Sequence, residues 1–155
     1  MASTLIRDYK IELQHKIDKF AEEIAKVICE YANELFGIAP VDISPNGAVK
    51  AADVSVSYSK EGDVYIVIAQ GKEAYFVEFG AGVYFNEKPS PHPKGAELGM
   101  LIGQYGDGYG NRRVWGFPEN GTIVLTRGTP ASMPMYKAAT YVRNNIYSIA
   151  REVFG

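Results

Sequence analysis

Nine apolar residues near the start of this chain, Ile6, Tyr9, Leu13, Ile17, Phe20, Ile24, Val27, Tyr31 and Leu35, recur in steps of three and four. That spacing puts them on one stripe of a single long amphipathic helix over about residues 3–36. Ser3 or Thr4 is placed to cap it, and Gly37 followed by Pro40 to end it. Glu12 with Lys16, and Glu22 with Lys26, stand four apart in the favourable order. At about 1.5 Å per residue the helix spans roughly 50 Å, long for a 155-residue chain, so one end is expected to protrude or to meet a neighbour.

After a Pro/Gly-rich loop, Val54, Val56 and Tyr58 alternate with serines, the period of a strand with one wet face. Lys60-Glu61-Gly62-Asp63 reads as a turn. Val64-Tyr65-Ile66-Val67-Ile68-Ala69 then reads as a second strand closing an antiparallel hairpin. The apolar piece from Ala74 to Gly80 fits either a strand or a helical turn. Val114–Phe117 and Thr122–Thr126 form a second strand pair around Pro118-Glu119-Asn120-Gly121, and Asn120-Gly121-Thr122 is read as a turn rather than a glycosylation site. A last amphipathic helix carries Met135, Ala139, Val142, Ile146, Ile149 and Val153, with Thr129 or Ser132 as its cap and Pro134 in its first turn.

No βαβ alternation is present, which argues against a parallel sheet. The expectation is one α+β domain over residues 1–155. In it the N-terminal and C-terminal helices pack on one face of a small, mainly antiparallel sheet of about four strands. A glycine-rich loop over residues 83–113 interrupts this frame; ten of the sixteen glycines lie between Gly80 and Gly121. Irregular stretches beyond about 12–15 residues are usually functional or disordered.

The chemistry that could make this an enzyme is sparse. Gly106-Asp107-Gly108-Tyr109-Gly110 lacks the strand before it and the helix after it that a phosphate-binding turn needs. His15, His92 and Cys29 are too scattered for a zinc site. His92, between two prolines, reads as a surface residue, His15 as solvent-exposed, and Cys29 as buried and inert. One cysteine excludes an internal disulfide and suits synthesis in the cytosol. No segment has a signal-peptide core or the about 20 apolar residues of a membrane span. A formal charge of −2 argues against a chain whose main work is gripping phosphate. No cofactor or metal is expected.

The loop sets Tyr84, Phe85, Tyr105 and Tyr109 beside Arg112 and Arg113. Aromatic side chains on a glycine-rich loop of nearly balanced charge suit a protein interface that orders on binding. The alternative is a single-stranded nucleic-acid binding protein that stacks bases on the same rings.

Two segments carry a family resemblance. Ala74-Tyr75-Phe76-Val77-Glu78-Phe79-Gly80-Ala81-Gly82 resembles the Tyr-x-Val-Glu-Phe-Gly-Thr-Gly signature of a siphophage head–tail joining and tail-completion family. The run from Gly128 to Ala139, with Pro134, Met135 and Tyr136, resembles that family's glycine-led turn opening the last helix. Ala81 stands where Thr is usual, and Met135 where Phe is common. The resemblance implies a non-enzymatic structural protein of a phage or prophage, made in the host cytoplasm and carried into the virion. It would form a ring, typically a hexamer, at the neck or top of the tail tube. Its partners would be copies of itself and tail-tube and connector or head-completion proteins, with DNA contact limited to the ring lumen. Tyr75, Val77, Glu78, Phe79, Gly80, Gly82, Gly128, Pro134, Met135 and Tyr136 are then the structural motif residues. Glu78, on an apolar element, needs a partner: either the chain turn at Gly80–Gly82 or a salt bridge to a neighbouring subunit. Met133 and Met135 read as packing at the helix entry.

Overall fold

A computed structural model describes residues 1–86, 91–102 and 112–155. Helix α1 runs unbroken over Ala2–Ile38. Its first turn is closed by the Met1 carbonyl, which accepts the N–H groups of Thr4 and Leu5. Ser3 and Thr4 therefore lie inside the helix and cap nothing. Gly37 does not end it either. The chain turns extended at Ala39 (φ −73°, ψ 128°) because the residue before a proline resists helical angles.

The α+β class with small antiparallel strand pairs is what the structure shows. Strands β1 (Pro40–Val41) and β2 (Lys50–Ala51) form a short ladder in the stretch read as loop. Strands β3 (Ser55–Glu61) and β4 (Val64–Gln70) form the expected hairpin, in register from Ser55 opposite Gln70 to Glu61 opposite Val64. The undecided segment becomes helix α2 (Ala74–Phe79). Strands β5 (Trp115–Glu119) and β6 (Thr122–Thr126) pair tightly about Asn120-Gly121. Both turn residues have positive φ, 50° and 78°, the conformation for which an Asn-Gly pair is best suited in a two-residue hairpin.

The C-terminal helix is two helices, α3 (Pro134–Asn144) and α4 (Ile146–Phe154), which corrects the continuous stripe read from the sequence. The break falls at Asn145, whose side-chain Nδ2 donates to the Tyr141 carbonyl at 2.8 Å while its backbone leaves helical angles. Asparagine competes for backbone hydrogen bonds in this way, and periodicity does not register it.

Helix α1 is the shared layer. On one side it meets β3 and β4. Asn33 takes both backbone groups of Val56, donating to its carbonyl and accepting its N–H, each at 2.8 Å. The half-buried Cys29 thiol donates to the same carbonyl, and burial pushes that thiol's pKa up. On its other side α1 carries α3 and α4, with Tyr31 stacked on Tyr141 at 4.7 Å and Phe20 edge-on to Phe154 at 5.7 Å. The C-terminal helices thus use α1 as their principal neighbour. The strands are spread over three two-stranded ladders. The core gathers where α1 ends: Phe36, Val41, Val77 and Ala138 are fully buried and pack with Ala32, Ala39 and Val56.

Candidate functional site

Two stretches far apart in sequence are sewn together beside that core. As α2 ends, Ala81 and Thr129 exchange backbone hydrogen bonds, N–H to O at 2.8 Å and 3.0 Å. The Thr129 hydroxyl, wholly buried, accepts the Asp42 N–H at 3.1 Å. Buried Asn86 completes the seam. Its amide nitrogen donates to the carbonyls of Gly82 and Thr129, both at 2.9 Å, and more distantly to Ala81; its oxygen accepts the Ala131 N–H at 2.9 Å.

The glycines of both motif segments make this approach possible. Gly82 (φ 77°) and Gly128 (φ 101°) lie against the Trp115 ring, and a side-chain carbon on Gly82 would stand 2.3 Å from that ring. One on Gly128 would stand 2.1 Å from the Ala81 carbonyl oxygen. Gly80 (φ 83°) leaves the same kind of room for the Asn86 side chain.

Glu78 joins α2 to α3. Its Oε2 accepts the Met135 N–H at 2.8 Å and its Oε1 the Tyr136 N–H at 2.9 Å. These are free donors of the first turn of α3, where a carboxylate also meets the positive end of the helix dipole. The expected bond from Glu78 to the turn at Gly80–Gly82 is corrected: its described partners within the chain are this helix start and His92. The expected caps are corrected with it. Thr129 serves the seam, and no side chain of the preceding residues caps α3; Met133 takes a left-handed conformation (φ 55°). Both Ser132 and Met133 donate their N–H groups to the Val77 carbonyl.

His92, expected on the surface, is 6% exposed and is a further correction. Its Nε2 lies 3.0 Å from Glu78 Oε1. Its Nδ1 accepts the Lys94 N–H at 3.0 Å, so the neutral ring carries its proton on Nε2 and donates it to the carboxylate. Phe79 (4.5 Å) and Tyr136 (5.3 Å) flank the ring. Local pattern gave no sign of this, because the partner sits fourteen residues away on another element.

An open, mainly apolar groove of about 380 Å³ lies over these residues. Phe36 and Ala74 lie among its lining residues, with Phe79, Met135, Tyr136 and the exposed Tyr75 and Leu98. Val77 and Pro134 are buried beneath the motif. Of the loop residues, Tyr84 is half-buried with the guanidinium groups of Arg113 and Arg127 each 4.8 Å from its ring. Phe85 meets its edge at 4.7 Å, and Arg112 is exposed. Tyr105 and Tyr109 lie outside the described residues. Parts of the segment read as loop are anchored: Asn86, His92 and Ile102 are buried, and residues 92–100 close on themselves through bonds such as Met100 N–H to the Gly95 carbonyl, 2.8 Å.

Among the described residues no His, Cys, Asp or Glu cluster could hold a metal ion, and no helix is long and apolar enough to cross a membrane. Fold and site together define an α+β domain in which buried Glu78 ties α2 to the start of α3, with His92 and Asn86 packed into the same joint beneath an open apolar groove. Comparison with family models, with curated proteins and with solved structures returns no match.

Proposed function

We propose that this chain is a structural assembly subunit of a long-tailed phage or prophage, a ring component at the head–tail interface or top of the tail tube. The observation that supports the reading most is the convergence of the two family-like segments. Residues 74–82 and 128–139 meet through Ala81 with Thr129 and through Glu78 with the amides of Met135 and Tyr136. Glycines, carboxylate and proline of the two marks thereby act as one structural joint, which is what a scaffolding role asks of them. In this reading the chain binds copies of itself and tail-tube or connector proteins, and does no chemistry. It is made in the host cytoplasm and ends in the virion neck.

The test is to induce tailed particles from the strain encoding the chain, find it by mass spectrometry of purified particles, and locate it by cryo-microscopy. A ring at the neck is expected. Particles that assemble fully without the chain would overturn the reading. An electrophoretic shift assay with a salt series separates it from single-stranded nucleic-acid binding, which weakens steeply as salt rises.

A further inference from the structure

Beside the seam, two arginines from separate stretches of the chain meet on one aromatic ring. Half-buried Tyr84 lies between Gly82 and Asn86, both buried in the seam, which fixes where its ring stands. Arg113, which leads into β5, and Arg127, which directly follows β6, each place a guanidinium 4.8 Å from that ring's centre. Arg127 is itself anchored, since its backbone N–H donates to the Ile43 carbonyl at 2.7 Å. Arg112 adjoins Arg113 in the chain and is exposed.

This charge is not balanced inside the chain. Among the described residues no ion pair includes Arg112, Arg113 or Arg127. Glu119, on the strand that Arg113 leads into, is taken by Lys50 at 3.6 Å. A ring face orients a guanidinium without neutralising it and without using its five in-plane N–H donors. Sharing one ring keeps the two cations no further apart than about one Debye length at 0.1 M salt, so they repel. The Arg127 Nε is also buried with no hydrogen-bond acceptor among the described residues, and a donor left in that state is costly. Both costs fall when an anion from outside the chain sits against the two guanidinium groups.

We propose that Arg113 and Arg127, held on Tyr84 with Arg112 beside them, form a binding site for a phosphate group. A tetrahedral phosphate has oxygens on several sides and accepts from two guanidinium forks at once. A carboxylate offers one planar edge, which a single fork fills. The phosphate is either free, as inorganic phosphate or a phosphomonoester, or part of a nucleic-acid backbone. In the second case Phe85, exposed and edge-on to Tyr84, gives a base a surface to stack on. The site stands on this geometry alone and does not rest on the assembly reading.

Titrating the full chain with inorganic phosphate, followed through the arginine Nε–H signals by nuclear magnetic resonance, tests it. Saturable shifts at Arg113 and Arg127 are expected, with acetate binding about tenfold weaker. Arg113→Gln should weaken phosphate binding about tenfold. Arg127→Lys, which keeps the charge and removes the fork, should weaken it by a similar factor. Arg113 lies outside every helix and strand, so its variant carries the test even if Arg127→Lys does not fold. Arg143→Gln, the same loss of charge at an exposed position on α3, should change nothing. A short deoxythymidine oligonucleotide separates the two sources. Binding far tighter than phosphate, and steeply weakened by salt, assigns the site to a nucleic-acid backbone; binding no tighter assigns it to a free phosphate or phosphomonoester. Acetate bound as tightly as phosphate would give the arginines to an acidic side chain of a partner protein and overturn the proposal. So would the absence of saturable shifts at both arginines, or an equal loss of binding in Arg143→Gln.

Discussion

Glu78 and Met135 stand fifty-seven residues apart, yet the Glu78 carboxylate accepts the Met135 backbone N–H at 2.8 Å, so the side chain of one helix caps another. The same carboxylate takes the next amide, Tyr136, and bonds between an ion and an amide are stronger than neutral ones. Glu78→Ala should therefore cost about 2–4 kcal/mol, from two amides and one imidazole losing an acceptor in a buried site. Glu78→Gln, which keeps one acceptor oxygen, should cost less than half of that. Urea titration checks both; equal losses for Ala and Gln would count against the capping role.

The Glu78 and His92 side chains are coupled through their 3.0 Å contact, and a double-mutant cycle isolates that coupling. His92→Leu and Glu78→Gln should show an interaction energy of about 1–3 kcal/mol. Additive losses within about 0.5 kcal/mol would mean that the ring and the carboxylate act independently of one another.

Gly82→Ala should be among the most damaging small changes in the chain. It places a left-handed conformation on alanine, costing about 1–2 kcal/mol, and drives a methyl into the Trp115 ring. A total loss above about 3 kcal/mol is expected once overpacking is added. Trp115 is the only tryptophan, so its emission reports the same event. A folded variant with unchanged emission would refute the close approach.

Asp42 has its carboxyl pKa raised, first by burial and then by the nearby Glu73 and Glu119 charges, with Lys50 opposing. A group whose folded-state pKa is raised favours folding when protonated. That contribution is complete below the unfolded-state pKa and is lost as pH rises through the folded one. At neutral pH the protein therefore carries the cost of the charge. Asp42→Asn should raise Tm at pH 7, and the gain should shrink as pH falls through the carboxylate range. The positive φ of 46° at this position also suits asparagine. Thermal melts between pH 3 and 7 decide it; a gain that does not vary with pH would assign the effect to backbone strain.

Asn86→Ala removes a side chain that makes four hydrogen bonds to carbonyls and an amide across the seam. The expected cost is about 2–4 kcal/mol, since buried backbone groups are left without partners. Faster amide exchange at Ala131, whose N–H loses its acceptor, should accompany it.

The long helix, the β3–β4 hairpin and the Asn-Gly turn were legible because each rests on a local rule: a repeat of three and four, a repeat of two, or a pair of residues suited to positive φ. The break at Asn145 was not, because both halves of the stripe keep their apolar period while one asparagine diverts the backbone. Glu78 was recognised as needing a partner, from its charge on an apolar element. Which partner it takes depends on α3 starting beside it, and spacing along the chain does not encode that. His92 was misplaced for the same reason: flanking prolines describe its backbone, whereas its burial comes from Phe79 and Tyr136.

The sequence by itself determined the long first helix, the β3–β4 and β5–β6 hairpins, the C-terminal helical stretch and their order, since helix, strand and turn preferences act over a few residues. Only the tertiary structure decided that α1 is the layer between the hairpin and the C-terminal helices, and that Glu78, His92 and Asn86 form the joint beneath an open groove. Those relations depend on which surfaces exclude water together and which buried donors find acceptors, and both are settled by the whole chain at once.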